Sequence, residues 1–379
     1  MSLPPWWKIK RELARVRDAA TRALGRALVE PPRQWLYDRA TDRNERVTPG
    51  RLPLTGRVAV LVLFQPRGIA ASVQLTLDHL AAEGWSVLAV SNAPLSDADR
   101  ALVQEKAALV LERPNVGYDF GAYRAGVRRL DRLGHRPERL ILMNDSTWFP
   151  LREGDDTLRR MEAMGVGMVG HIFKTEGTAD RDHVESHLLM FDAKALAHPA
   201  LTGFWRDYLM SDDRVLTIRH GEKGLTRAVR AAGLEVRGLI GRDSLITHLR
   251  VLDDAELLAV LREVVHHRAD AKTLCEGIAA AAAAGLDWRE DFLAWVDRAL
   301  ANSLQHMVST TFIAPAMQVC GMGFVKKTSD RRFHLARQKV LELDAAGRIA
   351  PLHPAVRAEI TASVAGWKPS AAEARMAAA

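Results

Sequence analysis

Four short apolar runs, separated by amphipathic stretches, constrain this chain more than any other feature. RVAVLVLF (57–64), WSVLAVS (85–91), ALVLE (108–112) and RLILMN (139–144) are too short for confident helices and are apolar at consecutive positions. Runs of that kind suit strands buried on both faces, as in a parallel sheet. Between the first two lies ASVQLTLDHLAAEG, ending at Gly84, a residue suited to closing a helix. Ser96 opens a second helix through Ala108, and a third follows the turn NVGYDFG. Strand and helix alternating at this spacing require right-handed crossovers and an open sheet with helices on its faces. The expected fold is therefore Rossmann-type α/β with a mostly parallel sheet over 51–250. An N-terminal basic amphipathic arm and linker (1–50) precedes it, and a helical region (251–379) follows.

Charge is concentrated before the sheet. The formal net charge is +7, which favours polyanionic partners. Lys8, Lys10, Arg11, Arg15, Arg17, Arg22 and Arg26 face only Glu12 and Asp18 in the same stretch. Trp6, Ile9, Leu13, Val16, Ala20 and Leu24 recur at helical spacing beside them. An apolar stripe backed by arginines suits either the headgroup layer of an anionic membrane, through residues 6–28, or docking on the protein's own body. Zinc spacings, basic-zipper heptads and RNP-like aromatic pairs are absent, so nucleic acid is not an expected partner. Pro31, Pro32 and DRATDRNERVTPG read as the linker. No run reaches the roughly 18 apolar residues that cross a bilayer. Cys275 and Cys320, far apart in sequence with no secretory signal before them, point to buried thiols in a reducing cytoplasm.

Ligands of an open parallel sheet lie where its strands end, because loops and helix N-termini converge there with unpaired N–H groups. Phe64-Gln65, Ser91-Asn92, Asn115 and Asn144-Asp145-Ser146 all fall on that rim. A carboxylate at a strand end has two readings. Asp145 either supplies hard oxygen to a divalent ion bridging a diphosphate or caps the next turn through its backbone amides. Gly117 and Gly121 either admit a ligand close to the backbone or make a tight strand-to-helix connection. FWRDY (204–208) reads as core, and His266-His267 as surface histidines, since adjacent residues point to different sides of a helix. DDAELLAVLREVVHHRA, DWREDFLAWVDRALAN and DRRFHLARQKVLELDAA are amphipathic and start acidic, as helices capping the sheet would. The terminal SAAEARMAAA is expected to fray.

NVGYDFGAYRAG and LILMNDSTWFP together resemble the signature of the rhamnan synthesis F family of bacterial polysaccharide glycosyltransferases. HVESHLLMF (183–191), FWRDY, GEKGLTRAVRAAGL (221–234) and the closing NSLQHMVSTTFIAPAMQVCGMGFVKKTSDR follow in the family's order, so the resemblance spans about 57–331. It implies a GT-A-like fold that moves a sugar, often a deoxyhexose carried as dTDP-rhamnose, or one carried on UDP or GDP, to a growing glycan. By the same resemblance, Asn115, Gly117, Tyr118, Asp119 and Gly121 line the nucleotide sugar, together with Phe64, Gln65, Asn92, Asn144 and Ser146 on the rim. Asn144-Asp145-Ser146 stands where such enzymes carry an Asp-x-Asp metal motif, making Asp145 the ligand of Mg²⁺ or Mn²⁺. His183, Ser186 and Glu222 face the acceptor.

Departures are visible. NDS carries one acid rather than two, which opens metal-independent binding through Arg124 or another cation, and Glu185 and His187 replace a glutamine and a tyrosine. Glycosyl transfer needs a neutralised leaving diphosphate and a base at the acceptor hydroxyl. Glu222 and Asp119 are the carboxylate candidates for that base, with His183 as the imidazole alternative. The leading expectation is a peripheral enzyme on the inner face of the cytoplasmic membrane, acting on a lipid-linked acceptor in surface polysaccharide or lipopolysaccharide synthesis. The rival is a catalytically inactive binding module of a polysaccharide assembly complex.

Overall fold

The computed structural model describes residues 6–301 and 306–369; the terminal SAAEARMAAA lies outside them. Four strands form where the apolar runs place them: β2 (Arg57–Leu63), β3 (Ser86–Ser91), β4 (Leu109–Glu112) and β5 (Arg139–Asn144). The crossovers are α3 (Ala71–Ala82), α4 (Asp97–Lys106, capped by Ser96) and α5 (Tyr118–Arg132). With β1 (Arg46–Pro49), β7 (Met168–Lys174), β9 (Leu188–Asp192) and β10 (Val236–Ile240), they make a sheet in the order β1-β4-β3-β2-β5-β9-β7-β10, with β8 (His183–Val184) on β7. The pairs β2/β3, β2/β5, β3/β4 and β7/β10 are parallel. Antiparallel β9 sits between β5 and β7. This is the mixed, mostly parallel, helix-flanked α/β sheet that the sequence predicts.

Both faces are covered. Ala59, Leu61 and Leu63 of β2 join one core, with Ile141 and Met143 of β5 and the helices after Arg242. Val58, Val60 and Val62 join the other, with α5, α6 (Pro199–Asp207) and α7 (Lys223–Ala231). Trp205 and Tyr208 of FWRDY are buried in this second core, Trp205 stacked 6.1 Å from Phe120. The C-terminal helices, among them α8 (Arg331–Ala345) and α9 (Pro354–Ala365), pack as the expected cap. Both cysteines are buried and free. His266 and His267 are half-buried rather than on the surface, His267 lying 5.3 Å ring to ring from His306.

The expected linker is instead folded. After α1 (Trp6–Leu24) and a π turn at Gly25–Val29, Pro31 and Pro32 sit in the first turn of α2 (Glu30–Arg39), where a missing N–H costs nothing. The chain then enters β1, which pairs antiparallel with β4. Polar residues that read as a linker are polar because they bind basic α5. Asp38 accepts both terminal nitrogens of buried Arg124 at 2.8 Å and also pairs with Arg128. Tyr37 receives Arg113, and Glu45 pairs with Arg129.

These pairs brace the N-terminal segment on the sheet body. Asp38→Ala leaves the Arg124 guanidinium buried without its counter-charge, and should lower unfolding free energy by about 3 kcal/mol. Urea denaturation of the full chain measures this; an unchanged midpoint would show the contact to be idle.

Candidate active site

The rim is built around the end of β5. Asn144 ends the strand, its N–H donating to the His187 carbonyl at 3.1 Å while the Asp145 N–H donates to the Val62 carbonyl. The Asn144 amide group then bridges two neighbours. Its Nδ2 donates to Asp119 Oδ2 at 2.9 Å, and its Oδ1 accepts from the Ser146 N–H and hydroxyl. Asp145 turns toward β2, where its Oδ2 accepts the Phe64 N–H at 2.8 Å and the Gln65 amide at 2.6 Å. Asp145 is half-buried; Phe64, Asn115, Tyr118 and Ser146 are exposed.

A second cluster faces it. Glu222 ends a π-helical turn, Thr217–Glu222, immediately before α7, and such turns recur at functional sites. Gly221 packs against the Phe120 ring so closely that a Cβ there would lie 2.7 Å from ring atoms. This approach brings Glu222 near Asp119. Glu222 Oε2 accepts from the Ser186 hydroxyl at 2.7 Å and its N–H at 3.1 Å, while Oε1 meets His183 Nε2 at 2.9 Å. Tyr123, one α5 turn beyond Asp119, donates to the Ser186 carbonyl.

The two carboxylates are driven apart in proton affinity. Burial, then the charge of Glu222, push Asp119 up to about 6. Burial pushes Glu222 up too, but the hydrogen bond and charge of His183 outweigh it and hold Glu222 below the usual carboxylate range. Such a split assigns roles. Asp119 is the group that exchanges a proton near neutral pH, and Glu222 stays ionised.

Several predicted site residues do other work. Arg124 is buried on Asp38 and cannot reach a diphosphate. Asn92 is spent on the glycine turn, accepting from Arg113 at 2.7 Å and donating to the Tyr118 carbonyl. Gly117 has φ +76°, with Met210 where its Cβ would be, and its N–H donates to Asp212 at 2.7 Å. The Gly121 Cβ position is filled by the Val116 carbonyl, so both glycines serve the tight connection. Tyr118 holds φ 51° and donates to the Asp212 carbonyl. His183 is buried, with Nδ1 on the Arg181 carbonyl and Nε2 on Glu222, so it positions the glutamate and has no nitrogen left to act as a base. The substituted residues lie inside: Glu185 pairs with Lys326 at 2.6 Å, and the His187 ring lies 4.5 Å from that of Phe324.

Sequence reasoning missed Lys327. Strand β11 (Val325–Lys326) pairs antiparallel with β6 (Thr147–Trp148), and the Lys327 N–H donates to the Ser146 carbonyl at 2.9 Å. Lys327 thereby comes within electrostatic reach of Asp145; burial lowers its proton affinity and the aspartate opposes that. The signal was present in GFVKK, but only the β6/β11 pairing shows which rim it joins.

A family model described as RgpF, rhamnan synthesis protein F, matches residues 87–252. The uncharacterized protein y4gN of Sinorhizobium fredii is 30% identical over 255 residues, covering 67% of this chain and 66% of that protein, just under two thirds of its length. Two solved structures show a weaker likeness. The mannosyltransferase PcManGT from Pyrobaculum calidifontis, in complex with GDP-Man and Mn²⁺, is 14% identical with a TM-score of 0.30, covering 85% of this chain and 97% of that one. The galactosyltransferase LgtC, in complex with donor and acceptor sugar analogs, is 11% identical with a TM-score of 0.28, covering 49% and 74%.

If Asp119 accepts a proton in the reaction, the kcat/KM of the chain falls as pH drops through about 6, where that carboxyl becomes protonated. Asp119→Asn should remove this acidic limb along with most of the rate. A pH profile of the variant that keeps the limb would assign it to another group.

Proposed function

Because residues 87–252 match the model of the rhamnan synthesis protein F family, we propose that the chain is a nucleotide-sugar-dependent glycosyltransferase extending a polysaccharide. One observation carries the reading. Two carboxylates of opposed proton affinity, Asp119 and Glu222, meet at the sheet rim beside Asp145. In the transfer, the acceptor hydroxyl bonds to the anomeric carbon as the bond from that carbon to the diphosphate breaks. Asp119 takes the hydroxyl proton. Glu222, fixed by His183 and Ser186, keeps its negative charge and stabilises the positive charge that develops on the sugar ring. The leaving diphosphate carries its electrons toward the Asp145 edge, where Lys327 supplies a cation.

Asp145 fits a divalent ion in one respect. Both hydrogen bonds fall on Oδ2, so the carboxylate is held in a fixed orientation while, among the described residues, nothing donates to Oδ1. A single carboxylate beside diphosphate and water suits Mg²⁺ or Mn²⁺. Asp145 would hold such an ion, which would supply positive charge to the diphosphate. As donor we favour an activated deoxyhexose such as dTDP-rhamnose, and as acceptor a lipid-linked glycan.

A lipid-linked acceptor needs the enzyme at a membrane surface. No helix among the described residues is long and apolar enough to cross one. Helix α1 and the π turn instead present Trp6, Leu13, Val16, Leu24 and Leu28 to solvent, each at least 60% exposed. With the basic residues around them, these side chains suit the headgroup region of an anionic leaflet. In this reading the enzyme sits on the inner face of the bacterial cytoplasmic membrane.

Asp145→Ala should cut transfer from a nucleotide sugar by about 100-fold or more, with little change in melting temperature because the residue lies at a loop rim. Turnover at the native rate in that variant would remove Asp145 from the chemistry. No donor hydrolysis or transfer by the native chain, with any nucleotide sugar, would favour the inactive-module reading. Replacing Leu13 and Val16 by glutamate should weaken binding to anionic liposomes by roughly tenfold or more, since each apolar side chain buried in lipid contributes on the order of 1.5 kcal/mol. Sedimentation with liposomes checks it, and equal binding by both forms would disqualify the stripe as an anchor.

A further inference from the structure

A cleft of about 910 Å³ opens between the loop after β2 and the C-terminal helices α8 and α9. Arg67, Lys327, Arg337 and Lys368 line it, with Asp330 and Trp367. None of these residues belongs to the site inferred from the sequence. Four cations gather here with one carboxylate, and that carboxylate is committed elsewhere. Asp330 caps α8 by accepting the N–H groups of Arg332 and Phe333, and also pairs with the Arg332 guanidinium.

The two exposed cations are short of counter-charge. Among the described residues no carboxylate pairs with Arg67 or Lys368, both of which are exposed. Lys327 is half-buried; its ammonium donates to the Ser72 hydroxyl at 3.5 Å and feels the charges of Asp145 and Glu359. Arg337 lies beneath the wall rather than on it: it is only 1% exposed, gives Nη1 to the Lys326 and Thr328 carbonyls and has Asp330 as its nearby carboxylate, so it supports the wall while Arg67, Lys327 and Lys368 are the cations a ligand reaches. The wall opposite is fixed: the Trp367 indole donates to the Ser329 carbonyl at 2.7 Å and stacks on His334 at 4.1 Å.

From this geometry we propose that the cleft binds a diphosphate ester. Two or three negative charges on closely spaced oxygens match several cations converging on one cavity. The volume also leaves room for the group attached to the diphosphate, within the range of small-molecule sites. Lys327 joins this cleft to the Asp145 rim, so the bound diphosphate lies next to the proposed chemistry. The identity of the ester rests on the transferase reading, because two reactants of such a reaction carry a diphosphate: the nucleotide-sugar donor and a polyprenyl-linked acceptor. The binding itself does not depend on turnover.

Titration calorimetry of the full chain with inorganic pyrophosphate in EDTA tests the site without metal or catalysis. The native protein should bind, and Lys327→Ala should weaken binding about tenfold, as should the double variant Arg67→Ala, Lys368→Ala, whose side chains are exposed and whose fold is not at risk. Arg67→Lys should retain most of the affinity. Competition then separates the sources. Displacement by UDP, GDP or dTDP assigns the cleft to the donor, displacement by farnesyl diphosphate assigns it to the lipid-linked acceptor, and either supports the proposal. No pyrophosphate binding by the native chain, native affinity in both cleft variants, or displacement by neither class of ester would overturn it. Binding that survives in an Asp119→Asn chain without transferase activity would show that the cleft stands even where the reading of the reaction fails.

Discussion

A sheet covered on both faces can offer chemistry only where its strands end. Alternate residues of β2 and β5 go to two separate cores, leaving polar residues only at the strand ends. Unpaired backbone groups and carboxylates must gather at the carboxyl rim. Asn144 is the residue on which that rim turns. Its backbone continues the sheet, and its side-chain amide holds Asp119 on one side and the Ser146 turn on the other.

The same rim explains the two carboxylates. Asp119 stands in the first turn of α5, and its backbone neighbour Phe120 donates to it at 3.0 Å. Left alone, a carboxylate at a helix N-terminus would be stabilised as the anion. Burial beside a second anion reverses that preference, and the result is a group that changes charge near neutral pH. Glu222 escapes the same fate because His183 and Ser186 compensate its burial. Removing solvent from both groups and supporting only one of them separates their roles.

The N-terminal segment is part of the body that carries this site. Basic α5 buries Arg124, and a buried guanidinium requires an anion. Asp38 provides it from outside the sheet domain, while Arg33 reaches Asp212, the residue that receives the Gly117 amide. The tight turn before Asp119 is thus held by a chain of polar contacts that begins in α2. Sheet, turn and N-terminal brace form one mechanical unit around the rim.

Much of this was legible from the sequence. Consecutive apolar residues determined that 57–64, 85–91, 108–112 and 139–144 are strands of a doubly covered sheet, because both faces exclude water and no polar position is tolerated. Topology then determined that Asn144, Asp145 and Gln65 share an edge, and the motif order carried Asp119 and Glu222 to the same site. The spacing did not reveal which charges were already taken. Arg124 and Asn92 looked available for a ligand and are bound to Asp38 and Arg113 instead, and the polar run before Arg57 looked like a linker because its partners lie far away in sequence. Lys327, Arg67 and Arg337 meet only after β11 pairs with β6 and the last two helices close over the loop that follows β2. Local pattern fixes an element, since its cause is burial along a few adjacent residues. The company a charge keeps is decided by contacts between distant segments, and only the folded chain brings those together.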